Sequence, residues 1–362
     1  MMSRLLPRRI LRAGRTPAMW FFLGSFALAI VCVFSLSESA RANPYLAKLG
    51  ERPAKIRIAT CAVSGGFTHL YMALDHGLFD KYGIRMEHVY IRGSGASLAA
   101  LAADEIQFLY CAAEATIPGL ASGVEAKLVA APLVKLPFVL VTRKDIRRPE
   151  DLKGKSLGVT RPGDLSARLS QAVIKRFNLT DVAIRAVGGS QSERYQAMVA
   201  DIVQGVIVTP PVDVRAKNEG YNVLYRLVEL DLPFIYSSVH ASTKMLRERP
   251  EWVQRVVAAF AESIQFAEKN PDKAKASIAK AMRIKDEEEL HVSYNVYTKE
   301  IIDRRMIVPG GVVADSVEST RALGTQVRKK PEEIYDNSFV HHLEKSGYLR
   351  ELWGGELPRS GY

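Results

Sequence analysis

Cysteine is scarce in this chain, three in 362 residues (Cys32, Cys61 and Cys111), so neither a disulfide-built miniprotein nor a zinc site made of cysteines is available. Catalytic signatures are missing too. There is no G-x-S-x-G, no H-E-x-x-H and no Walker phosphate loop, and Gly93-Ser94-Gly95 ends on Leu98 where a dinucleotide fingerprint needs a third glycine. No run after residue 42 is long and apolar enough to cross a membrane. What is present is ordinary globular composition, 48% hydrophobic and 25% charged, which excludes disorder and collagen in a chain longer than one compact unit usually is.

Lys plus Arg number 50 against 39 Asp plus Glu, a net +11 that would suggest nucleic acid as a partner until the charges are located. Arg4, Arg8, Arg9, Arg12 and Arg15 lie at the front, ahead of an uncharged run over 18–36 that closes on Ala40-Arg41-Ala42. This is the pattern of an export signal, expected to end after Ala42. Because the run has 19 residues, an uncleaved anchor is the alternative. Without residues 1–42 the chain keeps 44 basic and 38 acidic residues, a mild +6, so no nucleic-acid partner is expected. The expected location is the periplasm.

From Lys55 onward, short apolar runs alternate with helix-like segments, which predicts parallel sheets covered by helices on both faces. Strands are expected over 56–63, 86–91 and 106–111, with a first helix turning Leu70, Ala73 and Leu74 inward and a second turning Leu98, Leu101 and Ala102 inward. The order recurs with strands over 156–160, 182–187 and 206–208 and a helix over 165–177. Ala103-Asp104-Glu105-Ile106-Gln107 returns as Ala200-Asp201-Ile202-Val203-Gln204, each where a helix gives way to a strand, which points to two similar lobes. Segments 136–141 and 232–236 bracket the second lobe and are expected to cross between the two as strands about which the lobes rock. The helical tail, with Val253, Val256, Val257, Phe260, Ile264 and Ala267 on one face and a break at Asn270-Pro271, should pack on the first lobe.

Ala73, Gly77-Leu78-Phe79 and Gly83-Ile84 reproduce an A-x-x-x-G-L-F-x-x-x-G-[IL] phrase, and Asp151-Leu152-Lys153-Gly154-Lys155 a D-L-K-G-K phrase opening the second lobe. With the helix around Asn270-Pro271, these residues resemble the solute-binding proteins of nitrate, sulfonate and taurine ABC importers, a group that includes thiamine-pyrimidine-precursor proteins. The resemblance spans about residues 55–285. It implies an α/β, two-lobed periplasmic binding protein fold of type II, two Rossmann-like lobes joined by two crossing strands, with a helical C-terminal tail. The expected organisation is a signal peptide over 1–42, a linker over 43–54, a first lobe from 55–140 and 237–362, and a second lobe over 141–236. It further implies a monomer with no cofactor or metal that captures a small organic solute, anionic or heterocyclic, and delivers it to a membrane permease and its ATPase. A membrane-tethered sensor of the same fold is the alternative. The family's Gly and Asp are replaced in parallel by Asp104 and Gln107 and by Asp201 and Gln204, and Gly163-Asp164-Leu165 stands where Gly-Ser-Thr is common. Pyrimidine synthases of similar fold carry a cysteine-rich iron motif that this chain lacks.

In open α/β sheets ligands sit outside the carboxyl ends of strands, against helix N-termini. The loops so placed supply the expected ligand contacts: Ser64, Gly65, Gly66 and Phe67; Ser94; Cys111, Ala112 and Glu114; Arg161 and Asp164; Pro210; and Tyr236. Arg161 can clamp an anion with its fork of donors, or stand as a surface arginine. Asp164 directly precedes a helical run and reads also as its N-cap. Glu114 is placed to meet a ligand amine or to favour a helix start. Phe67, Tyr71, Tyr110 and Tyr236 read either as pocket wall or as core. His69 reads as a surface residue at a helix start. Cys61 and Cys111 end neighbouring strand candidates and are either a disulfide or two small buried residues.

Overall fold

Strand β1, Ala54–Thr60, turns Ile56 and Ile58 toward one side of its sheet and Ala59 toward the other, as a two-residue period requires. The computed structural model describes residues 43–162, 165–230 and 234–360, so the expected export signal and the candidate contact Asp164 lie outside the described residues. A 3-10 turn at Gly65–Phe67 leads into α1, Thr68–Asp75, which ends where Gly77 adopts φ of 61°. There follow β2 (Ile84–Tyr90), α2 (Ser94–Ala102), β3 (Phe108–Cys111), α3 (Ala113–Ala121) and β4 (Ala126–Leu133). The second sheet is made by β5 (Val139–Thr142), β6 (Ser156–Val159), β7 (Ala183–Ala186), β8 (Gly205–Val208) and β9 (Asn222–Arg226). Its helices are α4 (Leu165–Arg176), α5 (Gln191–Val199) and α6 (Val212–Asn218). The chain then returns to the first sheet as β10, Ser237–Ser242.

The strand orders are β2-β1-β3-β10-β4 and β7-β6-β8-β5-β9, so the lobes repeat one topology. Both sheets are mixed rather than parallel. In each, the strand arriving from the other lobe, β10 or β5, runs antiparallel to its neighbours. It enters from the cleft, at the carboxyl ends of the parallel strands, as the pairs Ser238 with Cys111 and Val139 with Val208 show. The crossing pieces 134–138 and 234–236 are themselves irregular. They lie side by side through Phe234 N to Val134 O (3.3 Å) and Tyr236 N to Leu133 O (2.8 Å), and Pro137 has no N–H to add a rung.

The repeated phrase has a structural meaning. Asp104 and Asp201 both take left-handed backbone, φ 59° and 61°, at the ends of α2 and α5, the role for which glycine is the usual choice and Asp a tolerated one. Gln107 Oε1 accepts from Arg57 N in the middle of β1 (3.0 Å), and Gln204 Oε1 accepts from Ser156 N at the start of β6 (3.1 Å). The paired substitutions therefore do the same work in both lobes. Each aspartate also meets a cation, Lys244 at 2.7 Å and Arg143 at 2.6 Å.

Three further expectations change. Helix α2 buries Ala100 and leaves Ala102 exposed. His69 is fully buried because α1 is covered by the tail. The tail helix α7, Pro250–Lys269, buries all six predicted positions against the first lobe, with Phe260 on Tyr110 at 5.1 Å between ring centres, but its continuation reaches the second lobe as well. That continuation is α8 (Pro271–Met282), α9 (Glu287–Asn295), a π-helical turn at Val296–Glu300 and α10 (Gly310–Ala322). Cys61 and Cys111 are joined by a disulfide, Cα atoms 5.5 Å apart, one step beyond the parallel pair Thr60 and Tyr110. Among the described residues no helix is long and apolar enough to cross a membrane.

Candidate functional site

A cavity of about 520 Å³ opens between the lobes. The first lobe contributes Ser94 at the start of α2, then Ala112, Glu114, Ala115 and Pro118 from α3 and the residue before it. From the second come Thr160 and Arg161 after β6, Leu165, Ser166 and Arg168 of α4, Arg194 of α5 and Ile207 of β8. Phe138 of the first crossing forms the floor, and Ser316, Thr320, Leu323 and Thr325 of the tail close a side.

Arg194 is only 6% exposed although charged. Its guanidinium donates to Thr160 Oγ1 (2.8 Å), Gly189 O (3.4 Å) and Ile207 O (3.3 Å). Thr160 is held in turn, its N–H donating to Ser166 Oγ at 2.9 Å, so the loop after β6, the first turn of α4 and Arg194 form one network. Across the cavity Glu114 forms an ion pair with Arg168, which ties α3 to α4 and so one lobe to the other. Burial pushes the Arg168 guanidinium below its ordinary pKa. Three arginines and one carboxylate therefore face the space, with hydroxyls of Ser94, Thr160, Ser166, Ser316, Thr320 and Thr325 between them. Such a lining favours an anion that also accepts hydrogen bonds.

Of the residues expected from sequence, Ser94, Ala112, Glu114 and Arg161 line this cavity. Cys111 lies fully buried in the disulfide just behind it. Ser64, Gly65, Gly66, Phe67, Pro210 and Tyr236 do not face it; they belong to a second cluster around Tyr297. Ser64 Oγ accepts from Gly66 N (3.1 Å) and Ser64 O from Phe67 N (3.1 Å), so those amides close their own turn instead of cradling an anion. Tyr236 OH lies 3.3 Å from Ser64 Oγ, and Tyr297 OH donates to Pro210 O at 2.9 Å. Phe67 packs on Tyr110 at 5.2 Å between ring centres, in the core. Sequence reasoning missed Arg168, Arg194 and the whole contribution of α10, because they sit on helices whose facing is decided by the packing of distant segments. Among the described residues no group of three His, Cys, Asp or Glu is placed to hold a metal ion.

A family model described as NMT1/THI5 like matches residues 64–274. The chain is 23% identical over 260 residues to a putative ABC transporter periplasmic binding protein of Brachyspira hyodysenteriae, covering 68% of this chain and 73% of that one. It is 24% identical over 235 residues to a putative binding protein of Brucella abortus, covering 63% and 72%. Among solved structures it resembles the periplasmic aliphatic sulphonate binding protein SsuA of Escherichia coli (TM-score 0.64, 19% identity, 79% of this chain and 99% of that one). It also resembles a DszB mutant in complex with biphenyl-2-sulfinic acid (TM-score 0.62, 16% identity, 81% and 99%). These likenesses establish the two-lobed periplasmic binding protein fold.

Proposed function

The chain belongs to the NMT1/THI5-like family, and from that premise we propose that it is an extracytoplasmic solute-binding protein of an ABC importer, taking one small organic anion between its lobes. The observation that carries this reading is the interlobe cavity whose wall holds Arg161, Arg168 and the buried Arg194 against a single carboxylate, Glu114. A guanidinium fixed by three oxygens before any ligand arrives needs no reorganisation to receive an anionic group. The apolar patches of Pro118, Phe138, Leu165 and Leu323 suit an organic body behind that group. Contacts made by both lobes at once shift the population toward a closed form, the form a membrane permease and its ATPase would receive. A periplasmic monomer is the state in which such a protein works.

An enzyme is the second reading, favoured by the likeness to DszB. Against it, the described residues lining the cavity include no histidine, cysteine, lysine or tyrosine, and the one carboxylate, Glu114, is engaged by Arg168, so the serine and threonine hydroxyls there have few groups able to activate them by taking a proton.

The test is a thermal-shift screen with sulfonates, carboxylates, taurine and pyrimidines, followed by mass spectrometry of the recovered compound. A ligand at a hundred times its Kd stabilises the folded form by about 2.7 kcal/mol, a plain rise in Tm. One class should raise Tm and be recovered unchanged. No shift from any class would sink the binding reading, and recovery of a converted product would favour the enzyme.

A further inference from the structure

Tyr297 stands in the π-helical turn Val296–Glu300, a backbone form that re-aims side chains and occurs often at functional places. Its ring is fully buried and lies nearly parallel to that of Tyr236, with centres 6.1 Å apart and planes 16° apart. On the first lobe it covers Gly65, where a Cβ would overlap the ring, so this position admits only glycine without movement. On the second lobe its hydroxyl donates to Pro210 O. The ring thus sits between the loops that follow β1 and β8, outside the carboxyl ends of strands from both lobes, where open α/β sheets hold their ligands. Tyr236 in turn packs on Phe138 at 5.8 Å, and Phe138 is the floor of the open cavity, so the filled and the open parts of the cleft are neighbours.

We propose that Tyr297 is a built-in occupant of the cleft, which holds the lobes together in the absence of solute and confines a solute to the adjoining cavity. The same stretch of tail is tied to the second lobe by charge as well: Glu289 to Arg215 (3.3 Å), Glu288 to Lys217 (3.1 Å) and Glu300 to Arg226 (2.5 Å). The two pairs at Glu288 and Glu300 are solvent-facing and add little individually, the pair at Glu289 is half-buried, and together they aim the tail while the buried ring supplies the contact. The crossings hold the lobes by few backbone bonds, so a third bridge matters for their relative position.

Small-angle X-ray scattering of the purified protein with no solute added tests this without reference to what the solute is. Tyr297→Ala should increase the radius of gyration relative to wild type, and p-cresol, the chemical equivalent of the missing side chain, should bring it back. Tyr297→Phe, which keeps the ring and loses the hydroxyl with its bond to Pro210 O and its contacts with Thr209 and Tyr236, should open the lobes by a smaller amount. Its amides at 65–68 and at Thr209, Val212 and Asp213 should exchange hydrogen faster than in wild type, a readout that serves if Tyr297→Ala does not fold. A folded Tyr297→Ala with the wild-type radius, or a Tyr297→Phe with wild-type exchange on both sides of the ring, would overturn the proposal. Because no solute enters the experiment, its failure leaves the anion-binding reading untouched, and failure of the screen leaves this one standing.

Discussion

Lowering the pH from 7 to 5 should remove stability through two histidines that the fold keeps neutral. His69 lies fully buried in α1, where among the described residues neither ring nitrogen has a hydrogen-bond partner, and burial pushes its pKa down to about 3. His240, in β10, is equally buried and pushed down to about 4 for the same reason, although its ring meets Leu109 O at 3.0 Å and Thr116 Oγ1 at 2.8 Å. In an unfolded chain both protonate near 6.5. Between that pH and about 4 the unfolded state binds more protons than the folded one, so stability falls as pH falls, by ~1.4 kcal/mol per pH unit for each histidine. Above pH 6.5 the contribution is fully present; at pH 5 each has removed about 2 kcal/mol, roughly 4 together, a large share of the 5–15 kcal/mol of a typical domain. Urea unfolding at the two pH values measures it directly. His69→Leu should remove its own share, about 2 kcal/mol, from the loss and, at pH 7, stabilise the protein by about 1 kcal/mol by removing an unpartnered polar ring. A total loss below about 1 kcal/mol between the two pH values, or a full loss retained in His69→Leu, would refute the reasoning.

Reducing the bond between Cys61 and Cys111, which are 50 residues apart, should destabilise the protein by about 4 kcal/mol on the chain-entropy scale, read as a lower urea midpoint in dithiothreitol. Gly65→Ala should cost about 1–3 kcal/mol, because its methyl meets the Tyr297 ring, and the double variant with Tyr297→Ala should recover part of the loss. If the ion pair of Glu114 with Arg168 ties the lobes, a double-mutant cycle with Glu114→Gln and Arg168→Gln should return a coupling of about 0.5–3 kcal/mol, and additive effects would deny the tie.

Much of the scaffold is legible in the sequence because its determinants are local. Short apolar runs between helix-like segments mark β1, β3, β6 and β8, Gly77 marks the end of α1, and the twin phrases ending in Gln107 and Gln204 mark the twin lobes. Strand β10 escapes because Ser237, Ser238, His240 and Ser242 are polar yet buried. The cleft was half visible. Loop residues at strand ends, Ser94, Ala112, Glu114 and Arg161, follow from topology, whereas Arg194 and Thr320 face the cavity from helices that look like any amphipathic surface helix in sequence. Nothing near Gly65 signals that a tyrosine 232 residues further on fills the space before it.

The most direct test of an anion held between the lobes is titration calorimetry of the screened ligand against wild type, Arg161→Ala and Arg194→Lys, with melting curves confirming that each is folded. Wild type should bind one ligand per chain, and each variant should bind more weakly by about 1.5–3 kcal/mol, roughly 10- to 150-fold in Kd, the loss expected for a hydrogen bond to a charged group. Unchanged affinity in both variants would contradict the account, since it would place the ligand away from the arginine-walled cavity.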